Sequence, residues 1–130
     1  MIRYAVNDAI DADQFVGLLE RSGLAPRRPV HDRACVEGMV EHADITVTAW
    51  SEGLLVGVAR SVTDYSYCCY VSDLAVDRAF QRIGIGKQLL DLTQAQVGPL
   101  CKLLLFSAPD AQSYYPHIGF HNNPNGWVRE

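Results

Sequence analysis

At 130 residues, with 48% hydrophobic and 20% charged side chains, the chain has the length of one domain whose core needs no covalent staples. A formal charge of −4 argues against the basic footprint of nonspecific nucleic-acid binding. No apolar run approaches the ~20 residues that span a bilayer, and the first eight residues show no apolar signal core, so no membrane partner and a cytoplasmic location are expected. Cys35, Cys68, Cys69 and Cys101 show no CxxC spacing, and none of His31, His42, His117 and His121 pairs with them at ligand spacing. Buried, reduced thiols and no metal are expected.

Residues 2–6 alternate as a short strand. Phe15, Leu18 and Leu19 recur at helical spacing over residues 11–21, and Gly23 stops that helix. Pro26 and Pro29 force a loop. Asp32 then caps a second helix running to about His42, with Cys35, Val36, Met39 and Val40 inward. The period then changes to that of strands over residues 45–50, 54–62 (with Gly57 as a candidate bulge) and 67–76. Ile85, Leu89 and Leu92, widened by Leu90, mark a helix that ends before Gly98-Pro99. The apolar run within residues 102–107 reads as a strand covered on both faces. A short helix from Pro109 to Gly119 and a last strand around Trp127-Val128 complete the order βααβββαβα(β). No repeat or linker divides residues 1–130, and the passage from strand 67–76 through a helix to strand 102–107 predicts a right-handed parallel crossover.

The informative corner is Gln81-Arg82-Ile83-Gly84-Ile85-Gly86-Lys87, between a strand and a helix. The first amides of a helix lack internal partners and sit at its positive end, and glycines let an anion approach that backbone. A pyrophosphate fits such a corner, with Arg82 and Lys87 able to add charge-assisted contacts. The pattern is neither GxxxxGK[ST] nor GxGxxG, and by itself QxxGxG also describes a mere turn.

Taken together, Asp73-Leu74-Ala75-Val76-Asp77, the glycine corner and Tyr114-Tyr115-Pro116-His117-Ile118-Gly119-Phe120 resemble the GNAT superfamily of N-acetyltransferases. In that family a strand ending L-A-V leads to [QR]-x-x-G-x-[GA], an apolar strand and F-Y-x-x-x-G-F. Gly57-Val58-Ala59-Arg60 and the YxxxGF segment look closest to small bacterial and plant relatives of arylalkylamine (serotonin) N-acetyltransferases. The resemblance implies an α/β (α+β) GNAT fold: a mixed, mostly antiparallel sheet of six to seven strands with about four helices and a splayed parallel strand pair.

It also implies acetyl-CoA as cosubstrate and a primary amine of a small molecule as acceptor, joined in a ternary complex. On this view Leu74, Ala75 and Val76 pair with the pantetheine arm. Gln81, Arg82, Ile83, Gly84, Ile85, Gly86 and Lys87 form the pyrophosphate corner. Tyr115 falls at the family's general acid, a phenol of pKa ~10 suited to protonate the leaving thiolate. Tyr114 takes the usual Phe position and is expected in the core. Asp73, mid-strand among apolar neighbours, is either the general base or a structural carboxylate bonded to a backbone amide, with His31, His117 and Tyr67 as weaker bases.

Two positions depart from the family pattern. Ala108 stands where an Asn often bonds the pantetheine, and Pro116 threatens to kink the chain beside Tyr115. Residues 23–30 are expected to form one wall of the acceptor site, with the turn at Asp64-Tyr65-Ser66 opposite. Arg27 and Arg28 either attract an acceptor anion or are solvated loop residues. The alternatives to a small-molecule acceptor are acetylation of protein lysines or N-termini, and a CoA-binding regulatory module without turnover; a homodimer is compatible with any of them.

Overall fold

The computed structural model describes all 130 residues. Strands β1 (Arg3–Val6), β2 (Ile45–Ser51), β3 (Leu54–Thr63), β4 (Cys68–Val76) and β5 (Lys102–Leu104) form one sheet in that spatial order. The first four pair antiparallel, and β5 runs parallel to β4 after the crossover through a helix.

Adjacent strand residues point to opposite faces, and the helices divide accordingly. Helix α1 (Ala12–Ser22) and helix α2 (Arg33–Glu41) cover one face, where Phe15, Leu18, Leu19 and Val36 pack with Leu55, Val58 and Ala75. Helix α3 (Ile85–Gln94) covers the other, where Ile85, Leu89 and Leu90 pack with Val47, Ala49, Val56 and Ala59. Each fully buried Leu or Phe here contributes about 1.5–3 kcal/mol relative to exposure. Asp11 starts α1 through a reciprocal capping box with Gln14, and Gly23 ends it at φ 87°. Asp32 caps α2 by accepting from the Cys35 amide at 3.0 Å. Gly57 seats α3, because a Cβ there would stand 3.1 Å from both Ile85 and Leu89.

Two bulges shape the sheet. Val56 is the extra residue of β3 where the register passes from Ala49–Gly57 to Trp50–Leu55, so the irregularity falls beside Gly57. Ser72 is the extra residue of β4 where the register passes from Ser61–Val71 to Arg60–Asp73. This second bulge resets the alternation. Cys69 and Val71 face α3, whereas Ala75, four residues beyond Val71, packs on the α1–α2 side.

The sheet has five strands and three α-helices, fewer than six to seven and about four. The expected strand over 102–107 stops at Leu104, and it is covered on one face only: Leu103 and Leu105 are half-buried while Leu104 and Phe106 are exposed. In place of a short helix, 3-10 turns occupy Pro109–Ala111 and Tyr115–Ile118. Pro116 explains the break, since it donates no amide and its ring collides with the carbonyl four residues earlier. Around Trp127-Val128 no strand forms, and both side chains are exposed. The run Asn122-Asn123-Pro124-Asn125-Gly126 favours turns instead, with the Asn125 amide donating to Asn123 Oδ1 at 2.9 Å. Cys69 and Cys101 are buried, but Cys35 and Cys68 are exposed, correcting the expectation for those two thiols. No helix is long and apolar enough to cross a membrane.

Candidate active site

β4 and β5 pair only between Cys68–Tyr70 and Lys102–Leu104. Past the Ser72 bulge the two strands diverge, and β4 continues to Val76 without a neighbour on that side. The Asp77 amide donates to the Val56 carbonyl at 2.8 Å. By the antiparallel alternation, the amides and carbonyls of Leu74 and Val76 therefore turn away from β3, into the gap, while those of Ala75 turn to β3. Leu24, Arg28, Val71, Ser72, Leu74, Leu105, Phe106, Ala108, Ala111 and Tyr115 line this gap, which encloses about 60 Å³. A larger hollow of about 440 Å³ lies at the far edge of the sheet, between the β1 end and α2, where Asp8, Glu37, Glu41 and Asp44 line it. It contains none of the glycine-corner residues.

The corner begins at Asp77. Its carboxylate accepts from the Ala79 amide at 2.9 Å and from Arg21 Nε at 2.8 Å, and Arg21 also donates to the Leu55 carbonyl. Gln81 Nε2 donates to the Val76 carbonyl at 2.9 Å, tying the corner back to β4. Arg82 and Gly84 take positive φ, 67° and 93°, and Gly84 caps α3 without any side-chain hydrogen bond. The first intrahelical bond of α3 runs from Gln88 to Gly84 at 3.1 Å, so the amides of Ile85, Gly86 and Lys87 lack helical partners. Around Gly84 a Cβ would meet nothing within 4 Å, leaving open space beside those donors. Lys87 bridges to Asp91 at 2.7 Å, which holds its ammonium protonated above its ordinary pKa. Ile83 is exposed and Ile85 is buried in the core beneath α3. These residues fit a diphosphate: amides without helical partners, the positive end of α3 and the adjacent cations Arg82 and Lys87 gather where β4 turns into α3.

Asp73 is fully buried, and each of its oxygens accepts from a guanidinium Nε, Oδ1 from Arg28 and Oδ2 from Arg60. Arg60 also donates to the Met39 carbonyl at 3.2 Å and to Ser72 Oγ at 2.9 Å. Arg28 donates further to the Arg27 carbonyl and to the Ser72 carbonyl, both at 2.8 Å. The loop between α1 and α2 is thus stitched to the bulge of β4. Both Asp73 oxygens are thus bonded to guanidinium groups, where the structural alternative read from the sequence had a backbone amide.

Tyr115 lines the gap and stacks edge-to-face on Tyr114 and Phe120, with centroids 5.3 and 5.6 Å apart. Burial raises the pKa of its phenol, so it is protonated at neutral pH. Tyr114 is exposed at the surface and not in the core as expected, and its hydroxyl lies against the glycine corner, where a Cβ on Gly86 would stand 3.1 Å from it. Burial raises that phenol too, against the opposing pull of Lys87.

The gap thus brings together Leu74 and Tyr115, and Val76, farther along the same free edge, is tied to the glycine corner through Gln81. Ala75 belongs to the opposite face of β4. None of His31, His117 and Tyr67 lines the gap. Leu24 and Arg28 form one wall, but the turn at Asp64 does not face them. It sits at the start of β4, where Asp64 accepts from the Ser66, Tyr67 and Cys68 amides and the Tyr65 carbonyl accepts from Gly98. The sequence shows Arg60 only within the Gly57–Arg60 resemblance and gives it no role in the site. Its signal was a charged residue mid-strand between apolar neighbours, which requires a buried counter-charge.

The model of the acetyltransferase (GNAT) domain matches residues 19–129. A chloroplastic GCN5-related N-acetyltransferase 1 of Arabidopsis thaliana is 28% identical over 123 residues, covering 92% of this chain and 60% of the relative, so the chain spans well under the relative's full length. The solved structure of a probable acetyltransferase of Staphylococcus aureus superposes with a TM-score of 0.82 at 19% identity, covering 100% and 99% of the two chains. An aminoglycoside N-acetyltransferase solved in complex with CoA superposes with a TM-score of 0.73 at 18% identity, covering 100% and 94%. With most of its length matched by the family's own model, and with the splayed strands and glycine corner in place, this chain belongs to the GNAT acetyltransferase family.

Proposed function

We propose that this protein transfers an acetyl group from acetyl-CoA to the primary amine of a small molecule. The observation that carries the reading is the continuity of one surface: the free β4 edge at Leu74 and Val76 leads from the Tyr115 phenol to the uncapped amides of α3. The corner Gln81–Lys87 holds the diphosphate, and the Leu74 and Val76 edge aligns the pantetheine arm. Bound acetyl-CoA supplies the thioester acyl group.

The acceptor enters as the free amine. Its nitrogen bonds to the thioester carbonyl carbon as the carbon–sulfur bond breaks, the amine gives up one proton, and the departing sulfur gains one. A backbone amide turned into the gap stabilises the oxygen as negative charge develops on it. Tyr115 donates the proton to sulfur, and burial keeps the phenol in the protonated form this step requires. Asp73 holds the wall of the gap through Arg28 and Arg60 and takes no proton. The acceptor's proton leaves to water, so the rate rises with pH toward the amine's own pKa of ~10.

Calorimetry with CoA, together with thiol release over a panel of amines and peptides, tests this. Micromolar binding with turnover of free amines supports the reading. Absence of heat at millimolar CoA refutes it, and turnover confined to peptides moves the acceptor to protein.

A further inference from the structure

The charges around the gap do not cancel. Asp73 is the sole carboxylate within the Arg28–Arg60 cluster, and both its oxygens are taken. Two guanidinium groups and one carboxylate leave one positive charge over. No acidic side chain lines the gap to balance it. Arg60 is buried, so the surplus is presented by Arg28, whose side chain is 21% exposed and forms part of the gap wall.

The hydrogen-bond inventory agrees. A guanidinium carries five N–H groups. Arg28 uses Nε–H on Asp73, one N–H of Nη1 on the Arg27 carbonyl and one of Nη2 on the Ser72 carbonyl. One N–H remains on each terminal nitrogen. Three bonds to fixed groups hold the fork rigid, so a planar anion can meet it without the entropy cost of freezing a mobile side chain. Apart from Ser72 and the Tyr115 phenol the rest of the wall is apolar, with Leu24, Val71, Leu74 and Leu105 among its members.

We infer that Arg28 selects the acceptor, and that the acceptor is an amine carrying a carboxylate on an apolar body, as a hydrophobic amino acid does. Polycations are disfavoured by the same surplus charge. This deepens the proposed acetyl transfer and rests on it. Arg28 is a specificity residue that binds the carboxylate and takes no part in the bond changes.

Paired acceptors differing in one group provide the test. kcat/KM is measured with phenylalanine and phenethylamine, and with spermidine, for the wild-type protein and for Arg28→Gln and Arg28→Lys. CoA affinity by calorimetry and the melting temperature accompany each variant. The expected result is a preference of about ten- to a hundredfold for phenylalanine, in the range of one charge-assisted contact. Arg28→Gln abolishes it through KM with CoA affinity unchanged, and Arg28→Lys retains part of it. Turnover of phenethylamine or spermidine at equal or higher kcat/KM overturns the inference while leaving acetyl transfer standing. So does an unchanged preference in folded Arg28→Gln. No turnover of any amine despite CoA binding removes the transfer reading itself, and the inference with it. Should Arg28→Gln fail to fold, the wild-type ratio and Arg28→Lys decide alone.

Discussion

Two buried carboxylates, Asp73 and Asp77, stand four residues apart near the end of β4, and both reach arginines from the segment of α1 and the loop after it. Asp73 gives both oxygens to guanidinium groups, Arg28 and Arg60. Asp77 divides its oxygens between Arg21 and the Ala79 amide. The first therefore fastens one layer to another and fixes the wall of the gap, whereas the second shapes the chain itself as it enters the glycine corner. One site is thus held at its two ends by two separate devices.

If that division is right, the two ends should break separately. The largest effect is expected for Tyr115→Phe, which belongs to neither device: kcat falls about a hundredfold or more while CoA affinity holds, since only the proton donor is removed. A rate within a few-fold of wild type removes Tyr115 from the chemistry. Next, Asp73→Leu leaves the buried Arg60 and the half-buried Arg28 without a counter-charge and costs about 3–5 kcal/mol in urea unfolding. The milder Asp73→Asn should keep CoA affinity but raise the acceptor KM. If it instead weakens CoA, the two devices are one.

Asp77→Ala should do the reverse. It removes a cap worth about 1 kcal/mol and loosens the corner, weakening CoA several-fold with little change in acceptor KM. Gly84→Asp sharpens this end, placing a side chain at φ 93° and a negative charge beside the free amides; calorimetry should show weaker CoA binding. The smallest expected effect concerns alkali. Burial raises the folded-state pKa of Tyr114 and Tyr115, so their contribution to stability is intact below pH ~10 and is lost as pH climbs through the raised values. Tyr115→Phe should flatten that alkaline fall in the melting temperature.

Most of the scaffold could be read from local patterns. Gly23 and Asp32 are boundary signals that depend on near neighbours, and the structure uses both as expected, while the Asp11 cap of α1 went unread. Gly57 marked a bulge, although the extra residue is Val56 and the glycine serves the packing of α3. The C-terminal quarter was misread because its hydrophobic run suggested coverage that the diverging β5 does not receive, and because Pro116 outweighs the helical spacing around it. In the site, residues 81–87 were legible through their backbone chemistry. The Arg28–Asp73–Arg60 cluster was not, since its members lie 45 and 13 residues apart and meet only once the sheet is built. Asp73 was rightly noticed as costly, but one sequence does not say which of its cations answers it.

The Ser72 bulge has a consequence for how this strand can change over evolutionary time. With 72 removed, Val71 and Asp73 would follow one another opposite Ser61 and Arg60 in an unbroken ladder, and Asp73 would keep the face it now shares with both arginines. Leu74 and Val76 would keep theirs too, and what disappears is the Ser72 carbonyl that Arg28 grips and the Ser72 hydroxyl that Arg60 grips. A single-codon deletion here would therefore spare the faces of the strand and strip away only two arginine contacts, so a bulge is the one point at which this strand can change length without exchanging its two sides.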